Sequence, residues 1–135
     1  MSKPSFSGHW QPNFDRSRLE IPRPTSSDFV IEHDEPSFRL TRTLVFGEHS
    51  STISFELTTD GAEHEQDFEG RHARMRLQWD GAALLAHMSV RAGEEEGINE
   101  VRYSLEDAGR TLVARERFQS EKLNYDNLWV FERVL

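Results

Sequence analysis

The chain has 135 residues, a formal net charge of -8 and no cysteine, which suits one domain, residues 1–135, around one core. The lack of cysteine excludes disulfides and thiolate metal sites, and no apolar run approaches the roughly 20 residues of a membrane-crossing helix. The sixteen basic residues are scattered along the chain, whereas a nucleic-acid surface needs a concentrated positive stripe; no nucleic-acid partner is expected, and the acidic balance serves solubility.

Met1-Ser2-Lys3-Pro4 leads directly into a patterned segment near 6–13 without the apolar stretch of a signal peptide. A cytoplasmic location is expected, or a secreted or periplasmic one if a leader has been removed. The next stretch, Asp15 to Ser26, contains Pro22-Arg23-Pro24. Two prolines so close resist helix and central strand alike, which predicts a stiff extended lid or bottom cover. From there the apolar residues recur at every second position, and turn signals punctuate the chain at short intervals. Between 37 and 46 one face carries Phe38, Leu40, Arg42, Leu44 and Phe46, while the other holds Ser37, Arg39, Thr41, Thr43 and Val45. Ile53, Phe55 and Leu57 alternate with polar neighbours, as do Ala73, Met75, Leu77 and Trp79. Ala82 to Val90 is apolar at every even position, with Leu85 outside; Val101, Tyr103 and Leu105 share a later face, and Leu112, Ala114 and Phe118 another.

Asp60-Gly61 and Asp80-Gly81 read as hairpin turns, Glu106 to Gly109 as a turn, and Gly93 to Gly97 as a solvated loop tip. The pattern predicts about ten strands, near 6–13, 26–33, 37–46, 51–59, 63–68, 71–79, 82–90, 98–105, 110–118 and 125–134. Sequential antiparallel pairing would make an all-β, up-and-down meander barrel of about eight to ten strands, with closure removing the sheet edges.

Phe6-Ser7-Gly8-His9-Trp10 followed by Asn13-Phe14-Asp15, together with Trp129-Val130-Phe131-Glu132-Arg133 at the other end, resembles the calycin superfamily, in its lipocalin and fatty-acid-binding branches. Trp79-Asp80-Gly81 and Tyr103-Ser104-Leu105 are also similar to bacterial lipocalin-like proteins of unassigned function. The resemblance implies a pocket-bearing barrel, with Trp10 plugging the closed end and Arg133 lying across its indole. Two departures accompany it. The Arg-x-Tyr that grips a ligand carboxylate in fatty-acid-binding proteins is replaced by Trp129 and Phe131, and the helix-turn-helix lid by the proline-containing segment.

On this reading Phe38, Phe55, Met75, Trp79, Tyr103, Trp129 and Phe131 line or close the pocket, in keeping with the mostly apolar walls of ligand sites. The polar residues on inner faces carry more information, because burying them unpartnered is costly. They are Arg42, Glu116, and His64 with Gln66; Tyr103 and Tyr125 add hydroxyls. Either some of these converge on a ligand head group, or Arg42 and Glu116 form an internal ion pair, or a bulge turns one of them outward. His9, His72 and His87 oppose the apolar faces, His49 lies in a turn, and no metal-ligand spacing occurs, so no metal site is expected. No phosphate loop, dinucleotide fingerprint or nucleophile elbow is present, and no cofactor is expected.

Binding of a small, largely apolar ligand in the barrel is the leading function, with Arg42 orienting a polar ligand group and Glu116 balancing its charge in the empty state. Two alternatives stand beside it. One is an isomerase or cyclase using His64 or Glu116, and the other a filled barrel acting through its surface.

Overall fold

The structure, a computed structural model, describes residues 3–134. Ten strands form one antiparallel sheet: β1 (Gly8–Pro12), β2 (Ser26–Asp34), β3 (Ser37–Phe46), β4 (His49–Thr58), β5 (His64–Phe68), β6 (Arg71–Asp80), β7 (Ala83–Ala92), β8 (Glu95–Glu106), β9 (Thr111–Ser120) and β10 (Asn124–Arg133). Their spatial order is β4-β3-β2-β1-β10-β9-β8-β7-β6-β5. The first and last strands meet in the middle of that order, with Trp10 opposite Arg133 and Pro12 opposite Phe131. Alternation places one side of each strand on a shared interior, and the core it creates includes Phe29, Ile31, Phe38, Met75, Leu77, Leu84, Leu112 and Phe131.

Sequential pairing fails at one place: β4 and β5 are the two edges of the sheet and share no ladder. The corner between them explains this. Asp60 bridges to Gln78, and the Gly61 N–H donates to the Leu77 carbonyl at 2.9 Å. The chain is thereby drawn across the base to β6 instead of turning back along β4. Asp60-Gly61 is thus a corner and not a hairpin turn. Side chains span the opening instead: Gln66 Nε2 donates to the Ser54 carbonyl at 2.7 Å, Thr58 Oγ1 and His64 Nε2 lie 2.9 Å apart, and the Phe55 and Phe68 rings meet edge to face at 5.5 Å.

Two further expectations are corrected. Only Gly93 and Glu94 turn between β7 and β8, and Glu95 to Gly97 belong to β8, Glu95 tied to Lys122 Nζ at 2.5 Å. Gly97 is buried opposite Val90 and Ser120. A Cβ there would lie 2.5 Å from the Phe118 ring, so the glycine makes room for that ring. His49 opens β4 opposite Phe46 and does not lie in the turn.

The turns gather at two ends. Those after β2, β4, β6 and β8 define a base, and those after β3, β5, β7 and β9 a mouth. Asn13 to Thr25 takes the place beside β10 that the short β1 leaves vacant. The Asn13 N–H donates to the Val130 carbonyl at 2.6 Å, Arg18 bridges to Leu128, and the Thr25 N–H reaches the Val45 carbonyl at 2.7 Å. The proline-containing segment is therefore an extended side cover, running from β10 to β3 towards the mouth.

Candidate functional site

The interior is layered. At the base, Trp10 is fully buried and donates from Nε1 to the Phe6 carbonyl at 3.1 Å. The Arg133 guanidinium lies 4.4 Å over its ring and donates to the carbonyls of Ser7 (2.6 Å) and Gly109 (3.1 Å). A Cβ on Gly8 would come within 2.5 Å of Arg133 Nη1, which gives the Gly-x-Trp spacing a steric reason. Beside this plug, His33 is packed among Phe6, Phe38 and Trp79. His33 Nδ1 accepts the Phe6 N–H at 3.1 Å, which leaves the Nε2 proton to face Glu35 at 3.1 Å. Glu35 also accepts from Thr59 at 2.5 Å and from Trp79 Nε1 at 2.8 Å. Burial pushes the Glu35 carboxyl up, but the donors from Thr59, His33 and Trp79 outweigh it and hold the group below its ordinary value.

Halfway up lies an aromatic layer: Phe29 against Phe131 at 5.1 Å and Tyr103 at 6.2 Å, with Trp129 stacked on Phe131 at 5.9 Å. Arg42 covers this layer, its guanidinium 4.5 Å over the Trp129 ring. Arg42 Nε and Nη2 are buried and find no acceptor among the described residues. Trp129 Nε1 and Asn127 Nδ2 both donate to Glu116 Oε1, at 3.0 and 2.9 Å, and Asn127 Oδ1 accepts the Glu20 N–H at 2.8 Å. The expected Arg42–Glu116 ion pair is absent among the described residues; the carboxylate turns to the indole and amide, which stand beside it on β10. Burial pushes the Tyr103 phenol up to about 12, with Arg42 pulling it down and Glu116 raising it.

Towards the mouth the inner wall changes character. Ile53, Phe55, Phe68, Ala86, Met88, Val90, Val101 and Phe118 all share the strand faces of buried core residues, yet each is only half-buried. Phe118 and Tyr125 stack at 5.1 Å across β9 and β10. Burial raises the Tyr125 phenol, and Glu116 adds to the effect.

The sequence-derived residues therefore divide into three groups. Arg42, Tyr103, Glu116, Trp129 and Phe131 come together in the middle layer. Phe38 and Trp79 belong to the base, and Phe55 and His64 border the opening between β4 and β5, where Met75 faces His64 across the β5–β6 pair. No contact joins His64 to Glu116 among the described residues. Asn127, Asn99 and His33 escape the sequence reading, although the two-residue alternation sets them beside Trp129, Val101 and Ile31 on inner faces.

The scattered arginines do meet on the outer wall, where Arg76, Arg102, Arg115 and Arg117 surround a groove of about 460 Å³ with Glu100. Arg102 is paired with Asp80 at 2.5 Å and Arg117 with Asp126 at 3.0 Å.

Strand order, seam and plug define a nearly closed, ten-stranded antiparallel up-and-down β-barrel, similar in fold to fatty-acid-binding proteins. No family model and no curated protein sequence matches the chain. Solved structures match over the whole length. A secretory abundant heat soluble protein from Ramazzottius varieornatus gives a TM-score of 0.70 at 14% identity, covering 99% of this chain and 98% of that one. Human cRBP IV gives 0.61 at 17%, covering 97% and 99%. A Schistosoma mansoni fatty acid binding protein in complex with arachidonic acid gives 0.57 at 10%, covering 100% of both. At these identities the likeness is one of fold. No helix among the described residues is long and apolar enough to cross a membrane.

Proposed function

We propose that this protein is a binding module for a small, largely apolar molecule, held in the mouth half of the barrel above the aromatic layer. The observation that carries the reading is the incomplete burial of inward-facing apolar side chains such as Met88, Val90 and Phe118. In a filled barrel those faces would be closed by their neighbours across the interior, as they are at the base. Apolar surface that points inward yet meets water rewards an apolar guest that displaces the water, at roughly 25 cal/mol per Å² covered. The arachidonic acid complex of the Schistosoma mansoni barrel and a zebrafish ileal bile acid-binding protein complexed with cholic acid support the same use of the fold.

The test is titration with an uncharged environment-sensitive apolar dye such as N-phenyl-1-naphthylamine. Saturable fluorescence at one site, displaced by an apolar competitor, is the expected result. Non-saturable binding alone assigns the protein to the filled-barrel reading.

A further inference from the structure

The interior holds two opposite charges that do not satisfy each other. Arg42 presents Nε and Nη2, both buried and both without an acceptor among the described residues. These two nitrogens form one edge of the guanidinium, the edge that can grip two acceptor atoms together. Glu116 takes its two donors on Oε1, while Oε2 receives none among the described residues. Both charges act on the buried Tyr103, in opposite senses. Arg42 stacks on the ring whose nitrogen binds Glu116, so Trp129 links the two groups.

A guest carboxylate would satisfy Arg42 but bring a second negative charge beside Glu116. A guest ammonium would reverse the conflict. For like charges within about 10 Å, at an effective dielectric of about 20, that conflict costs roughly tenfold in affinity. A neutral head group that accepts and donates avoids it, because each end meets the charge that suits it. Resting on the reading of the barrel as a carrier, we propose that its ligand class is the uncharged amphiphile: an apolar chain ending in an amide or hydroxyl. Its oxygen would accept from Arg42 and its N–H or O–H would donate to Glu116.

Three chain-matched probes test this on the full chain at neutral pH: dodecanamide, dodecan-1-ol and dodecanoic acid, each displacing the dye. In the unmodified protein the amide is expected to bind tightest and the acid weakest, about tenfold apart. Glu116→Gln keeps an acceptor for Trp129 and Asn127 but removes the charge, so the acid should gain about tenfold and draw level with the amide. Arg42→Met should weaken the acid most. A purely structural role would lower all probes together in both variants.

Acid binding tightest in the unmodified protein overturns the proposal without recourse to any variant, and so does a Glu116→Gln protein that weakens acid and amide alike. If the dye saturates but none of the three displaces it, the proposal falls and the carrier reading stands. If the dye itself fails to saturate, the carrier reading falls and takes the proposal with it.

Discussion

The two ends of this barrel are built from the same strands and do opposite things. At the base, Phe6, Trp10, Leu84 and Leu112 are fully buried, and the polar groups among them, His33 and Arg133, find partners in backbone carbonyls, a backbone N–H or Glu35. Towards the mouth, Met88, Val90 and Phe118 stay half-buried, while Phe46 and Leu123 are exposed. The boundary between the two is the aromatic layer, and it is there that Arg42 lacks acceptors. Close packing and satisfied polar groups concentrate stability at one end, which frees the other to hold surface that a guest can cover.

The largest effect should come from Trp10→Ala. It removes the most voluminous fully buried side chain and leaves the Arg133 guanidinium over a void. Truncation of a buried aromatic typically costs about 3–5 kcal/mol, and urea denaturation should show a loss of that size. Dye affinity of the folded fraction should hardly change, since the plug lies below the aromatic layer. A loss under about 1 kcal/mol, smaller than one buried methyl group deleted at a packed site warrants, would break the division between a stability end and a binding end.

The division itself was only half legible in the residues. Two-residue alternation reveals all ten strands, because antiparallel strands with one wet face leave that imprint whatever their partners. Trp10 and Arg133 are visible through the matched ends. The opening between β4 and β5 is not, since Asp60-Gly61 has the composition of a hairpin turn and its bonds to β6 are long-range. Alternation also tells which face a residue occupies but not its height in the barrel. Arg42 and Glu116 could thus be read as an ion pair, when Glu116 in fact bonds to Trp129 and Asn127. Height separates Phe38 and Trp79 at the base from Trp129 in the middle, and height depends on strand stagger that no local pattern records.

The next effect is a pH dependence at the base. Glu35 is held below its ordinary value of 4.5 by donors that exist only in the fold. Between that lowered value and 4.5 the unfolded chain binds the proton and the native protein does not, so stability rises with pH there. The contribution is fully present above 4.5 and is lost as pH falls through the native value. Midpoint temperatures measured from neutral pH down to pH 3 should fall more steeply for the unmodified protein than for Glu35→Gln, which has no carboxyl to protonate. Parallel curves would mean that Glu35 does not anchor the base. Dye affinity above pH 5 should be the same in both proteins, since Glu35 lies at the end away from the mouth.

The smallest effect on stability should come from the open seam. Gln66 spans it with one bond to the Ser54 carbonyl, and the residue is only half-buried. A single hydrogen bond of that kind contributes about 0.5–1.5 kcal/mol net, and the lower end applies where water can replace the lost partner. Gln66→Ala should therefore shift the denaturation midpoint little. Its influence on exchange should be larger. The contact between Thr58 and His64 and the ring pair of Phe55 and Phe68 also bridge this stretch, and no ladder resists their separation. If guests enter through this side, the variant should bind and release dye several-fold faster at nearly unchanged affinity, because the seam is remade once the guest is inside. Stopped-flow mixing resolves both rates. Unchanged rates would move the entrance to the mouth proper, between the side cover and the turns after β3 and β7, and the seam would then be a closed wall held by side chains alone.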